Sequence, residues 1–207
     1  LGNGLIVTTA PDRDTTRVEA LSDGVFAIAI TLLVIELKVP RDIGESLGHA
    51  LAEQWPSYIA FLASFAVIGI MWLNHHRMFR MIVHATHGIL VLNALLLLMI
   101  SAVPFPTALV SEYIGHEGGR LAAAVYTGWF VATSIVWNTL WRYAAAPSRA
   151  PRVLGKPSND PGVRKVTRTF AVGPIVYLAA FGSAFWSPLL AVVLCGGAAV
   201  LFSLTPE

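Results

Sequence analysis

Residues 17–37, RVEALSDGVFAIAITLLVIEL, are long and apolar enough to cross a bilayer, yet they carry Ser22 and Asp23 near their start. A carboxylate in a spanning helix is expensive and requires a partner or a purpose. Thr16 is placed to cap the helix, with Glu19 three residues on closing a capping box. At about 100° per residue the segment divides into two stripes. Leu21, Gly24, Ile28, Thr31, Leu32 and Ile35 share one face, apolar except for one hydroxyl; Asp23, Phe26, Ile30 and Leu33 lie roughly opposite. A helix with two such faces serves two different neighbours.

The rest of the chain is of the same kind. Of its 207 residues 56% are hydrophobic and 13% charged, where a soluble domain carries about a quarter charged. Mean hydropathy is +0.67. The fold class that follows is an all-α integral membrane protein. Six spans fit, at about 18–37, 55–80, 89–110, 120–142, 166–185 and 186–204, and 1–207 reads as a single six-helix domain. Pro56 suits a first turn; Pro104 and Pro106 kink or end the third span. The polar, Pro-rich stretch 146–164 reads as a loop, and Trp186-Ser187-Pro188 as a tight turn.

Lys and Arg set the orientation. With a cytoplasmic N-terminus the inside segments hold Arg13, Arg17, Arg77, Arg80, Arg142, Arg149, Arg152, Lys156, Arg164, Lys165 and Arg168, eleven of the 14 basic residues. Lys38, Arg41 and Arg120 fall outside. Both termini are therefore expected in the cytoplasm of a multi-pass protein of the cell membrane. Asp12, Asp14 and Glu19 before the first span, and Glu36-Leu37-Lys38 after it, do not resemble a cleavable signal, so the span is expected to be retained.

Three polar clusters then share one layer. Asp23 lies about two turns in from the cytoplasm, the second span ends in Trp72-Leu73-Asn74-His75-His76-Arg77, and Asn93 stands about 9 Å above His87 on the third. A hydrogen-bonded knot of Ser22 and Asp23 with His75 or His76 and Asn93 is expected, because each is otherwise unpaired where water is scarce. Its plain role is to fasten three helices, with His75 preferred over His76. A proton relay and a pH-sensitive fastening are the alternatives. Adjacent histidines point about 100° apart and no HExxH is present, which argues against a metal site. Thr31 has an ordinary use, bonding back to the Ala27 carbonyl, and Glu36 one as a solvated acid at the helix end. The single Cys195 offers no disulfide. There is no P-loop, no GxGxxG and no nucleophile elbow, so neither an enzyme, a cofactor nor a nucleic-acid partner is indicated. A TVGYG potassium filter is absent as well.

Arg17-Val18-Glu19-Ala20-Leu21-Ser22-Asp23 resembles the RxxxFSD signature of prokaryotic relatives of the endosomal and lysosomal potassium channel, the transmembrane protein 175 family, with Leu21 where the family has Phe. Trp72 to Arg80, WLNHHRMFR, looks like that family's second-helix signature. Leu92-Asn93 with Pro104-Phe105-Pro106-Thr107 is similar to its third helix. The resemblance covers about the first half of the chain. It implies a homotetramer of six-helix subunits around one pore lined by first helices, passing potassium over sodium without a re-entrant filter loop. Carried over by position, the constriction falls on Ile28, with Leu32 and Ile35 further out, and the selectivity hydroxyl on Thr31. Glu36 then forms an acidic collar at the outer mouth, while Arg17, Ser22, Asp23, Trp72, His75, His76 and Asn93 form the polar network. The permeant ion is potassium and the surroundings are the lipid bilayer. A coupled secondary transporter using Asp23 and the histidines, or a scaffold with no transport, are the other readings; no internal repeat or broken helix favours a transporter.

Overall fold

The computed structural model describes residues 13–40 and 46–203, and every regular element among them is helical. Helix α1 spans Arg13–Leu32 and tightens into a 3-10 turn over Leu33–Glu36. A short α2, Leu47–Glu53, is capped by Ser46, whose Oγ accepts from the His49 N–H at 3.2 Å. There follow α3 (Trp55–Phe79), α4 (His87–Ser101), α5 (Pro104–Tyr113), α6 (Gly119–Ala145), α7 (Ala150–Val153), α8 (Pro161–Ala184) and α9 (Pro188–Ser203). Among the described residues four stretches are long and apolar enough to cross a membrane: Thr15–Glu36, Trp55–Phe79, His87–Tyr113 and Gly119–Ala145. Helix α8 carries Arg164, Lys165 and Arg168 in its first two turns, and α9 is apolar over Pro188–Ala199.

Several expected boundaries move. The first helix starts at Arg13, so Thr16 lies inside it and caps nothing; no glycine or proline separates Arg13 from Thr16 to stop the helix there. The fifth helix starts at Pro161, five residues ahead of expectation, because Asp160 caps it: its Oδ1 accepts from the N–H groups of Gly162 and Val163 at 2.9 and 3.3 Å. The expected loop also holds α7. Asp12, Arg41 and Leu204 lie outside the described residues. Between α5 and α6 the chain reverses through Gly118 at φ 95°, a conformation that favours glycine.

Helix α6 sits at the centre, packed against α4, α5, α8 and α9, while α3 bridges α9 and α5 to α1. Helix α1 leans chiefly on α3 and α4 alone. Inside, Ser64 Oγ bonds Thr107 Oγ1 at 2.8 Å and Tyr126 Oη at 3.0 Å, tying α3, α5 and α6.

The prolines inside the apolar segments leave backbone acceptors that side chains then satisfy. Before Pro104, the Val103 N–H turns to the Ile100 carbonyl at 3.1 Å, and the Met99 carbonyl it would otherwise reach accepts from Trp129 Nε1 at 2.9 Å. In α8, Pro174 has no N–H for the Phe170 carbonyl, which accepts instead from Asn138 Nδ2 of α6 at 2.9 Å. Asn138→Leu should therefore lower thermal stability in detergent by about 1–3 kcal/mol, the cost of an orphaned buried acceptor. Adding Pro174→Ala restores the helical N–H and should recover most of the loss. A double variant no more stable than Asn138→Leu alone would show that the bond is incidental.

Candidate functional site

Helix α1 is fixed to the rest of the chain along one side only. Ser22, Phe26, Ala29 and Leu33 are buried, at successive steps of three or four residues. On the opposite side Leu21, Gly24, Ile28, Thr31, Leu32 and Ile35 are all exposed in the subunit, Ile28 at 60% and Ile35 at 67%. A chain that buries Leu33 completely and leaves Ile35 open presents an unfilled apolar face.

The buried side is held by a chain of polar groups. Asn93 Nδ2 on α4 donates to Ser22 Oγ at 3.1 Å, and Ser22 passes its own proton to the Val18 carbonyl at 2.8 Å. Asn93 Oδ1 lies 2.9 Å from His75 Nε2 on α3. An amide oxygen only accepts, so Nε2 carries the hydrogen and the direction of every bond in the chain is set. The imidazole is wrapped in rings: Phe79 stacks on it at 4.3 Å between centroids, Phe26 of α1 lies at 5.4 Å and Trp137 of α6 at 6.2 Å. His75 Nδ1 is buried without a hydrogen-bond partner. Three helices thus meet on one amide, which fastens α1 against α3 and α4.

Asp23 is not part of this knot, contrary to expectation. It is exposed in the subunit, and its Oδ1 accepts from Trp72 Nε1 at 2.9 Å. Neighbouring helical residues point about 100° apart, so Ser22 and Asp23 cannot both face α4, and the smaller hydroxyl takes the buried place. The same geometry sends His75 inward and leaves His76 exposed. Arg17 is exposed and joins none of these bonds. Thr31 Oγ1 bonds the Ile28 carbonyl at 2.9 Å, not that of Ala27. Its proton is thereby engaged with the backbone, so the hydroxyl oxygen offers lone pairs, the polarity a cation needs. Glu36 is half-buried at the end of the 3-10 turn, and the nearby Lys38 pairs with Glu112 at 2.6 Å, a long-range contact that spacing along the chain does not reveal. The contact of Trp137 with His75 is likewise one that spacing along the chain does not reveal.

Residues 17–104 match a protein-family model described as endosomal/lysosomal potassium channel TMEM175. The chain is similar to a potassium channel of Chamaesiphon minutus, 47% identical over 199 residues that cover 94% of this chain and 97% of that one. It is also similar to a potassium channel of Streptomyces collinus, 42% identical over 176 residues and 84% of each chain. The crystal structure of a lysosomal potassium-selective channel TMEM175 homolog from Chamaesiphon minutus superposes with a TM-score of 0.83 at 46% identity, covering 93% of this chain and 98% of that one.

Proposed function

The chain belongs to the TMEM175 family and is a potassium channel; on that premise we propose that four copies surround one pore lined by α1. Six spans of each copy cross the cell membrane, and the clustering of Lys and Arg puts both termini in the cytoplasm. Ile28, Leu32 and Ile35 of each copy face the axis and narrow it with apolar rings. Thr31 adds a ring of hydroxyl oxygens one turn beyond Ile28, and Glu36 an acidic collar at the outer mouth that gathers cations. An apolar ring blocks ions by dewetting, so opening requires the first helices to widen or rotate. Hydroxyls replace little of a hydration shell, which makes the selectivity for potassium modest.

The observation that carries this reading is the exposed face of α1, opposite the side clamped by Ser22, Phe26, Ala29 and Leu33. Asp23 supports it. A carboxylate exposed on a subunit within a spanning segment is not stable against lipid, so protein or water must cover that flank. A second copy of the chain provides such cover, with the Asp23–Trp72 bond at its edge.

Crosslinking tests the assignment. In a Cys195→Ala background, single cysteines at Ile28 or Ile35 should form disulfide-linked dimers between subunits under mild oxidation. Cysteines at Phe26 or Leu33, at 1% and 0% exposure, should stay monomeric. Links at Phe26 and none at Ile28 would put the axis on the wrong face.

A further inference from the structure

A cleft of about 460 Å³ opens between the last turn of α3 and the first turns of α8, with no lining residue on α1. Arg77, Arg80 and Lys165 line it together with Met78, Met81 and Phe170. Arg77 and Arg80 make no ion pair among the described residues. The acid next to α8 in sequence, Asp160, is occupied in capping that helix through Gly162 and Val163. Arg77 and Arg80 therefore bring into the cleft positive charge that no described carboxylate pairs with.

Its other end is apolar. A narrower space of about 60 Å³, sharing Asn74, Thr169 and Phe170 with the first, continues along α8 to Gly173 and Tyr177. At Gly173 a side chain would meet nothing within 4 Å, so the groove there is unfilled. Basic residues cluster at the helix ends, and the apolar channel leads from them toward the middle of the span. That is the profile of a molecule with an anionic head and a hydrocarbon tail.

We propose that this cleft binds an anionic phospholipid, its phosphodiester on Arg77 and Arg80 and one acyl chain along Phe170 and Gly173. Guanidinium groups present paired N–H donors that match two phosphate oxygens. Basic pockets between spanning helices suit anionic headgroups because the low dielectric nearby weakens competition from water. The phosphate chemistry is shared by soluble phosphate esters; the length of the groove favours the lipid. The site's cytoplasmic position rests on the orientation proposed above, but its chemistry does not, and the test reads no ion current.

The purified full chain in detergent, titrated with phosphatidylglycerol or phosphatidylcholine and followed by native mass spectrometry, decides the matter. Phosphatidylglycerol should bind about tenfold more tightly than phosphatidylcholine, and Arg77→Gln with Arg80→Gln should remove that preference. Arg77→Lys with Arg80→Lys should keep part of it, and Arg168→Gln, exposed on α8 but outside the cleft, should leave it intact. Gly173→Leu, which fills the groove, should weaken phosphatidylglycerol binding with all three cleft charges unchanged. Equal affinity for the two lipids, or the same loss in Arg168→Gln, would overturn the proposal in favour of diffuse surface charge. Displacement of the lipid by glycerol 3-phosphate at comparable concentration, or no effect of Gly173→Leu, would make it a soluble-phosphate site and overturn the lipid assignment.

Discussion

Ile28→Asn should raise single-channel conductance severalfold and bring the potassium-to-sodium permeability ratio close to unity. Ile28 is 60% exposed in the subunit and central to the face of α1 assigned to the axis. In a ring of four, isoleucine side chains form an apolar throat where a partly dehydrated ion finds no ligand. Amides at the same place supply both donors and acceptors, so the throat wets and the barrier to ion entry falls. A wetted opening lets sodium pass with its own water, and discrimination is lost. Thr31→Val separates the two effects. The exchange keeps the shape and removes an oxygen whose proton is held by the Ile28 carbonyl at 2.9 Å. It should lower the permeability ratio without raising conductance and without disturbing assembly. Reversal potentials under bi-ionic conditions measure both variants. An unchanged ratio in the pair would remove selectivity from α1 altogether.

Asn93→Leu should be the most damaging single change to folding that spares the proposed pore face. The amide serves both ends of the chain of bonds: its Nδ2 donates to Ser22 at 3.1 Å and its Oδ1 takes the His75 proton at 2.9 Å. Leucine orphans the His75 Nε2–H, at about 1–3 kcal/mol, and removes the donor to Ser22 Oγ, which keeps only its bond to the Val18 carbonyl, in a site 2% exposed that water does not readily reach. The expected result is a fall in thermal stability of several kcal/mol and loss of the assembled species on size exclusion. Asp23→Asn provides the contrast. An asparagine there still offers an oxygen to Trp72 Nε1, and the position is exposed in the subunit, so stability should change little. If Asp23→Asn proves as damaging as Asn93→Leu, the carboxylate carries weight at a contact between subunits that the Trp72 bond does not account for.

The contrast between Ser22 and Asp23 shows where reading the chain stops. Hydropathy and the 3.6-residue period were enough to establish a helical membrane protein, to place its long apolar segments and to divide the first of them into two faces. They were also enough to bring Ser22, His75 and Asn93 to one depth, because depth follows from a fixed rise per residue. Depth along an axis does not fix rotation about it. Whether Ser22 or Asp23 meets α4, and whether His75 or His76 turns inward, is decided by how α1 and α3 are rotated when Phe26, Phe79 and Trp137 pack around one imidazole. The partners of backbone groups freed by prolines were equally out of reach. Asn138 reaches the Phe170 carbonyl, and Trp129 that of Met99, across helices about thirty residues apart in the chain. The cleft at Arg77, Arg80 and Lys165 is of the same kind: three cations spread over two distant segments share one cavity only once α3 and α8 are packed side by side. Local periodicity sets what each helix presents; which presented groups meet is a property of packing, where burial of polar atoms selects among rotations that the chain alone leaves equivalent.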